Sequence, residues 1–357
     1  MTNLTRNLID WNNVQVIGMD LGDRSSQLIA VDAAGNGVGE RRIATTRMAL
    51  KDLFSTMAPK RIAIESGTHS RWVSRLLSEL GHEVIIANSR KLRLIYENRS
   101  KNDKVDAEYL ARLGRLDPKL LSPIDHRDDE AQQHLSQLRA RDVLVRTRAR
   151  LIVSCRGMVK ASGYRLRACS AESFARQARH AIPAVLSDAL LPLLTTIEQL
   201  NDQIRQLTRS IERVAESKYP EVKTLTQIAG VGTLTALAFI VTIGDPHRFR
   251  QSRTVGAWLG LIPGQRASGQ SDPQQRITKE GDRYLRSLLV NCAHYVLGSF
   301  GPDCDLRRHG KAIAARGGNN AKKRAIVAVA RKLAVLLHRL WLTGAVYEPL
   351  RNAPIGA

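Results

Sequence analysis

The chain is short of cysteine, of aromatic rings, of acids to balance its bases, and of long apolar runs, and each shortage removes a class of protein. Its four cysteines, Cys155, Cys169, Cys292 and Cys304, stand far apart with no C-x-x-C pair. That spacing excludes a zinc ribbon or a disulfide framework and predicts a reducing, cytoplasmic setting. No stretch reaches the about 18 consecutive apolar residues of a membrane helix, and Met1-Thr-Asn-Leu-Thr-Arg-Asn lacks the apolar centre of a secretory leader, so no membrane partner is expected. Aromatic residues make up 4%, too few to stack and read single-stranded bases along a surface. Positive charge is what the chain has: 55 Lys and Arg against 33 Asp and Glu, a formal net charge of +22 over 357 residues. A polyanion is the expected partner, and nucleic acid the first candidate. With 43% hydrophobic residues the chain can build two or three domains with cores of their own.

Residues 1–125 read as one α/β domain. Val14–Leu21, Gln27–Asp32 and Val38–Ile43 are predicted strands, with Ala33-Ala-Gly-Asn-Gly turning the second into the third. A helix over Thr46–Met57, a strand over Arg61–Glu65, a helix over Ser70–Leu80 stopped by Gly81, and a strand over Glu83–Ala87 follow. The order βββαβαβα predicts a mixed sheet covered by helices, the order of the ribonuclease H-like (RuvC-like) fold, which sugar kinases and actin-like ATPases share.

Within that domain, Asp103 and Asp106 open a predicted helix three residues apart, so they share a face. Like charges so placed weaken an isolated helix, and a divalent cation would supply the missing partner. Asp20 and Glu65 each end a short apolar strand and suit the same site. Singly, these acids have ordinary readings, closing a strand or capping a helix. As an ordered set of four they read as ligands for a pair of Mg2+ ions.

Residues 126–218 read as a basic helical region. Arg139, Arg141, Arg146, Arg148, Arg150, Arg156, Lys160, Arg165 and Arg167 face one acid, Asp142. That imbalance points to a phosphate-tracking surface, with Arg146 and Arg150 as candidate contacts, against the alternative of a solvated helix face. Leu193, Ile197, Leu200, Ile204, Leu207, Ile211 and Val214 repeat at 4-3 spacing, a coiled-coil seam. Its partner is either the earlier helix of the same chain or a second subunit, and self-association is the expectation.

Residues 219–345 read as a mainly helical third domain, before a tail at 346–357. Gly230-Val-Gly232 between two apolar helices reads as a helix-hairpin-helix, whose backbone N–H groups can hold a phosphate without reading sequence, against the alternative of an ordinary helical turn. Ser268, before Gly269, is a candidate nucleophile; Ser66-Gly67 and Ser271 show how weak such a signal is alone. Arg276, Lys279 and Arg283 follow it, and the run Arg307–Lys332, with Lys322, Lys323 and Arg324, carries no acid among its cations. Gly317-Gly-Asn-Asn is expected to break that run before a final helix.

Taken in order, Asp20, Glu65-Ser-Gly, Gly81-His-Glu-Val with Asn88 beyond it, Lys101-Asn-Asp-Lys-Val-Asp-Ala, Ala229-Gly-Val-Gly and Gly260-Leu-Ile-Pro…Ser268-Gly…Ile277-Thr-Lys…Leu285-Arg resemble the DEDD transposases of insertion sequences, the recombinases guided by a bridge RNA. The resemblance runs from about Val14 to Leu340. It implies that Asp20, Glu65, Asp103 and Asp106 bind Mg2+ in a resolvase-like domain and that Ser268 attacks DNA. It further implies a coiled-coil connector, a dimer that pairs into a tetramer, and a non-coding guide RNA that base-pairs with donor and target DNA. The setting implied is a bacterial cytoplasm, on the nucleoid when active. Two positions depart from the pattern: three residues after Asp20, where a lysine is frequent, stands Asp23, followed by Arg24, and Asn102 stands where threonine is frequent.

The chemistry stands beside the name. Two cations about 3.5–4 Å apart neutralise charge on entering and leaving oxygens of a phosphodiester. A serine nucleophile conserves the bond energy in a covalent link, so a strand can be rejoined to a new end without ATP. The competing readings are a structure-specific nuclease or Holliday-junction resolvase that uses the four acids with water, and a basic binding protein with no catalysis.

Overall fold

The computed structural model describes residues 10–89, 91, 102–266, 268, 271, 273, 275–318 and 320–352. Met1–Asn7, Lys101, Gly269 and Asn319 of the motifs above lie outside the described residues. The chain divides into two units, Met1–His126 and Arg127–Ala357. Among the described residues no helix is long and apolar enough to cross a membrane.

The first unit is built on a five-stranded sheet in the order β3-β2-β1-β4-β5. Its strands are β1 (Val16–Asp20), β2 (Ser25–Val31), β3 (Gly37–Ala44), β4 (Arg61–Glu65) and β5 (Glu83–Ala87). β1, β2 and β3 form the antiparallel meander, while β4 pairs parallel with both β1 and β5. β1, Val-Ile-Gly-Met-Asp, is buried up to its last residue because both faces of a central strand are covered. On one face Ile17, Met19, Ile62 and Ile64 pack under helices α1 (Arg47–Phe54) and α2 (Ser70–Glu79) through Leu50, Phe54, Val73 and Leu77. Thr46 caps α1 by accepting from the Ala49 N–H at 3.3 Å.

The other face is covered by helix α3 (Asp103–Leu116), which packs Ala107 and Ala111 on Val16, Ile29 and Val31, and Leu110 on Ala63, Ile85 and Ala87. The approach is close because the contact is made of small residues. A Cβ on Gly18 would lie 1.9 Å from the Ala107 carbonyl oxygen and 2.5 Å from the Ala111 nitrogen, so only glycine lets the helix backbone lie on the strand. Asn102 caps α3, accepting from the Lys104 N–H at 3.0 Å, so the departure from threonine costs the helix nothing.

The second unit starts as a helical hairpin of α4 (Asp129–Ala161) and α6 (Ser187–Lys218), with α5 (Phe174–Arg179) packed near its tip. The partner of the α6 seam is therefore α4 of the same chain. Its buried positions are Leu190, Leu194, Ile197, Asn201, Ile204, Ile211 and Ala215. Ile197, Ile204 and Ile211 belong to the expected row, whereas Leu193, Leu200, Leu207 and Val214 flank it half-buried. A pattern of apolar residues passes over the central polar members: Asn201 accepts from Arg148 at 2.8 Å and Thr208 from Arg141 at 2.7 Å.

The same contacts correct the reading of the basic strip as one solvent surface. Arg148 is 7% exposed and also pairs with Glu172 at 2.9 Å. Arg139 pairs with Asp282 at 2.9 Å, and Arg156 donates to the Leu166 and Arg167 carbonyls at 3.0 Å each. Arg146 and Arg150 remain exposed, Arg146 beside Asp142 at 2.7 Å.

The base of the hairpin joins the core of the remaining helices. These are α7 (Glu221–Leu225), α8 (Thr233–Ile243), α9 (Arg253–Trp258), α10 (Arg283–Leu297), α11 (Asp305–Ala315) and α12 (Ala321–Thr343). Every residue of α8 from Thr235 to Ile243 is buried, as an all-round apolar helix must be. Leu135 and Leu138 of α4, Leu289 of α10 and Leu333 of α12 share its cluster.

Candidate active site

In the first unit, the pairing of β1 with β4 runs in register to Met19 and Ile64, so Asp20 and Glu65 are the next residues on neighbouring parallel strands. Neighbouring strands lie about 4.8 Å apart. Asp20 follows Gly18 by two residues, which puts it on the α3 face of the sheet. α3 runs against β1: Gly114 lies by Val16 and Ala63, and Ala107 and Ala111 lie by Gly18. Eight residues of helix from Gly114 back to Asp106 span about 12 Å, and four residues of strand from Val16 to Asp20 span about 13 Å. Asp106 therefore comes level with Asp20, and Asp103 is one turn beyond it. The backbone brings all four acids to one end of one sheet.

Their surroundings differ. Asp106 is 2% exposed, Asp20 and Glu65 are half-buried, and Asp103 is exposed. Hard carboxylate oxygens fit Mg2+ or Mn2+ rather than a thiophilic metal. As the side chains stand, no group of three or more acids, histidines or cysteines among the described residues closes into a metal cage. The fit to a divalent ion thus lies in donor chemistry and backbone placement.

Two loops leaving the same end of the sheet are tied together by side chains to which the sequence analysis gave no such role. The Trp72 indole donates to His69 Nδ1 at 3.1 Å, which leaves the proton on Nε2, 3.3 Å from Asp23 Oδ1. His69 follows β4 and Asp23 follows β1, so this bond links the loop after each acid-bearing strand. Ser66 and Ser89 share a 2.8 Å bond, and Ser70 lies 3.0 Å from His126 Nε2. The position of Ser66 and His69 within four residues of Glu65 was the available signal.

In the second unit, Ser268 stands on an antiparallel arm. Pro263 bridges Ile277, the Gly264 N–H donates to the Arg276 carbonyl at 2.9 Å, and the Thr278 N–H to the Ile262 carbonyl at 3.0 Å. Ser268 and Ser271 exchange two backbone bonds of 3.0 Å. Ser268 is exposed. At the base, Gly260 has φ +66° and a Cβ there would meet the Glu280 nitrogen at 2.4 Å, while a Cβ on Gly281 would meet the Trp258 carbonyl oxygen at 2.3 Å. Arg286 clamps this crossing by donating to the Leu259 carbonyl at 2.9 Å and the Gly281 carbonyl at 3.2 Å.

The arm base forms one wall of a groove of about 1600 Å³ whose other walls are α11, α12 and the stretch from Ala345 to Asn352. Arg276, Lys279, Lys323 and Arg324 line it, while Arg283, Lys322, Arg146 and Arg150 are not among its lining residues. Arg316, Arg331 and Lys332 add to the positive wall. His309 lies in the same wall, pushed below the ordinary imidazole range by burial and then by the charges of Lys332 and Arg316. Asp305 faces the groove but is occupied, accepting from the Asn352 side chain at 2.7 Å. Farther along, Gly230 turns the chain between α7 and α8 at φ +91°, with its α-carbon face against the Tyr295 ring. Gly232 then starts α8 with no side-chain cap.

Comparison with known proteins matches both parts. Residues 17–162, which hold the four acids, match the DEDD model of IS110-type elements, described as a transposase. Residues 222–307, which hold Ser268, match the model described as the transposase IS116/IS110/IS902 family. The transposase for insertion sequence element IS1328 of Yersinia enterocolitica is 30% identical over 79% of this chain and 83% of its own length. A probable family 20 transposase of Pseudomonas aeruginosa is 28% identical over 94% of this chain and 99% of its own. The transposase for insertion sequence element IS1111A of Coxiella burnetii is 26% identical over 92% and 90%. Likeness of this extent, spanning the acid-bearing sheet and the serine-bearing arm alike, makes the chain a member of the IS116/IS110/IS902 family of insertion-sequence transposases.

Proposed function

We propose that this transposase cuts and rejoins DNA through a covalent link to Ser268, with Asp20, Glu65, Asp103 and Asp106 holding Mg2+, and that a non-coding guide RNA selects the donor and target sites. What supports the reading is the close seating of α3 on β1, since the helix that begins with Asp103 and Asp106 covers the sheet face that bears Asp20 and Glu65. When bound there, divalent ions supply positive charge to offset that on the entering and leaving oxygens of a phosphodiester.

The protein's own part begins with Ser268. Its Oγ attacks phosphorus; the P–Oγ bond forms as the bond to the leaving deoxyribose oxygen breaks, and the serine proton passes to that oxygen. The reverse reaction with a different strand end rejoins DNA without ATP. Asp106 is buried on α3, and Asp20 and Glu65 are spaced by the sheet itself. Gly230 and Gly232 at the α7–α8 turn, with Arg146, Arg150, Arg283 and Lys322, serve as phosphate contacts that fix position without reading bases. Sequence selection then falls to base pairing, which a protein poor in aromatic residues leaves to its guide. A homodimer pairing into a tetramer supplies the two ends that exchange.

The test is incubation with insertion-sequence end DNA, the co-purifying RNA and Mg2+. A DNA-protein adduct is expected from the native chain, and none from Ser268→Ala or Asp106→Asn. Cutting without an adduct would assign the attack to water and sink the serine link. Mixing Asp106→Ala with Ser268→Ala protein restores adduct formation only if acids and serine act across subunits.

A further inference from the structure

We propose that the groove between the arm, α11 and α12 holds the backbone of the DNA duplex that Ser268 attacks, and that Lys279 anchors it from a backbone conformation the fold keeps at a cost. The proposal rests on the strand-cutting role given to Ser268 above. Its basis is the joining of two basic runs far apart in sequence: Arg276 and Lys279 from the arm face Arg316, Lys323, Arg331 and Lys332 across one groove. Arg276 and Lys279 lie eight and eleven residues beyond Ser268 in the chain, so a duplex seated in the groove is held by residues close in sequence to the nucleophile.

Duplex DNA is favoured over a single strand by what the walls lack. Single strands are held by bases stacked on aromatic rings, and Tyr347 supplies the only Phe, Tyr or Trp ring among the described lining residues. Cations without stacking platforms suit a phosphate backbone.

Lys279 is singular within this wall. Its φ is +59°, one of two positive values among the described residues other than glycine, and its N–H donates to the Gly260 carbonyl at 3.1 Å. A left-handed backbone is unstrained for glycine and disfavoured for a long side chain. The neighbouring crossing uses glycine at Gly260 and Gly281, where space requires it. At the position between them the chain keeps an exposed lysine instead, a local cost of the kind that clusters at functional sites.

The full-length Lys279→Gly and Lys279→Ala proteins separate the two parts of the proposal. Both lose the ammonium, but only glycine relieves the strain. Lys279→Gly is expected to melt higher than Lys279→Ala. Both are expected to bind a labelled duplex of arbitrary sequence more weakly than the native protein, with a log-log salt slope shallower by about 1. Lys279→Arg restores the slope. An unchanged duplex slope in both variants, or a glycine variant melting below the alanine one, overturns the proposal. So does a slope lost only for a hairpin RNA and retained for duplex DNA. Because binding is read without cutting, failure of the native protein to form an adduct with its end DNA would remove the serine mechanism while leaving the groove assignment to be judged on its own slope.

Discussion

At the scale of single residues, a buried imidazole gives the second unit one expected response to pH. His134 is 5% exposed at the base of the hairpin, with Nδ1 2.8 Å from the Tyr219 hydroxyl. Burial holds its imidazole below the ordinary value, opposed by Glu130 and assisted by Lys218, and burial together with Glu130 pushes the Tyr219 phenol up to about 12. Since the folded value is the lower one, the unfolded chain takes up the proton first as pH falls. Stability from this group is therefore whole above the unfolded value of about 6.5 and is lost as pH drops below it. The thermal midpoint should fall on acidification from pH 7 to pH 5, and His134→Phe, which keeps the ring against Tyr219, should flatten that fall. Scanning calorimetry across the range checks it; parallel curves for both proteins would place the acid sensitivity elsewhere.

At the scale of elements, the close seating of α3 on β1 is what places the acids. Gly18→Ala would drive a methyl group into the Ala107 carbonyl, and overpacking against backbone costs about 1–3 kcal/mol. The expected result is a lower thermal midpoint together with loss of DNA cutting, since moving α3 off the sheet moves Asp103 and Asp106 away from Asp20. A Gly18→Ala protein with native activity would show that the level placement of the acids is dispensable.

How much of this was legible in the sequence follows the range of the interactions. The strands, the helix opened by Asp103 and the strand-end positions of Asp20 and Glu65 could be read, because a short apolar run closed by an acid is a local signal. The centre of the α6 seam could not: Asn201 and Thr208 look like surface residues until Arg148 and Arg141 are brought against them. For the same reason Arg148 looked like one more phosphate contact. The arm closed by Pro263 and Ile277 and the groove that joins Lys279 to Arg331 depend on pairings across loops and between distant helices, which no window of sequence contains.

At the scale of the whole molecule, a net charge of +22 makes association with DNA an ionic-strength measurement before it is anything else. The log of the binding constant should fall linearly with the log of salt, by about 0.9 per phosphate neutralised on duplex DNA. Titration at several salt concentrations reads this directly; a flat line would mean that the basic groove is not the surface in contact.

The polar stitch inside the hairpin sets a length as well as a pairing. α4 runs for 33 residues, about 50 Å of helix. Sliding the two rods past each other would break the buried bond from Arg148 to Asn201. The hairpin is thus a strut of set reach, holding its far tip at a constant remove from the helical core at its foot. Trimming both rods by seven residues would shorten that reach by about 10 Å and leave their facing sides matched, whereas removing a single residue from one rod would swing its side chains by about 100° and unpick the stitch.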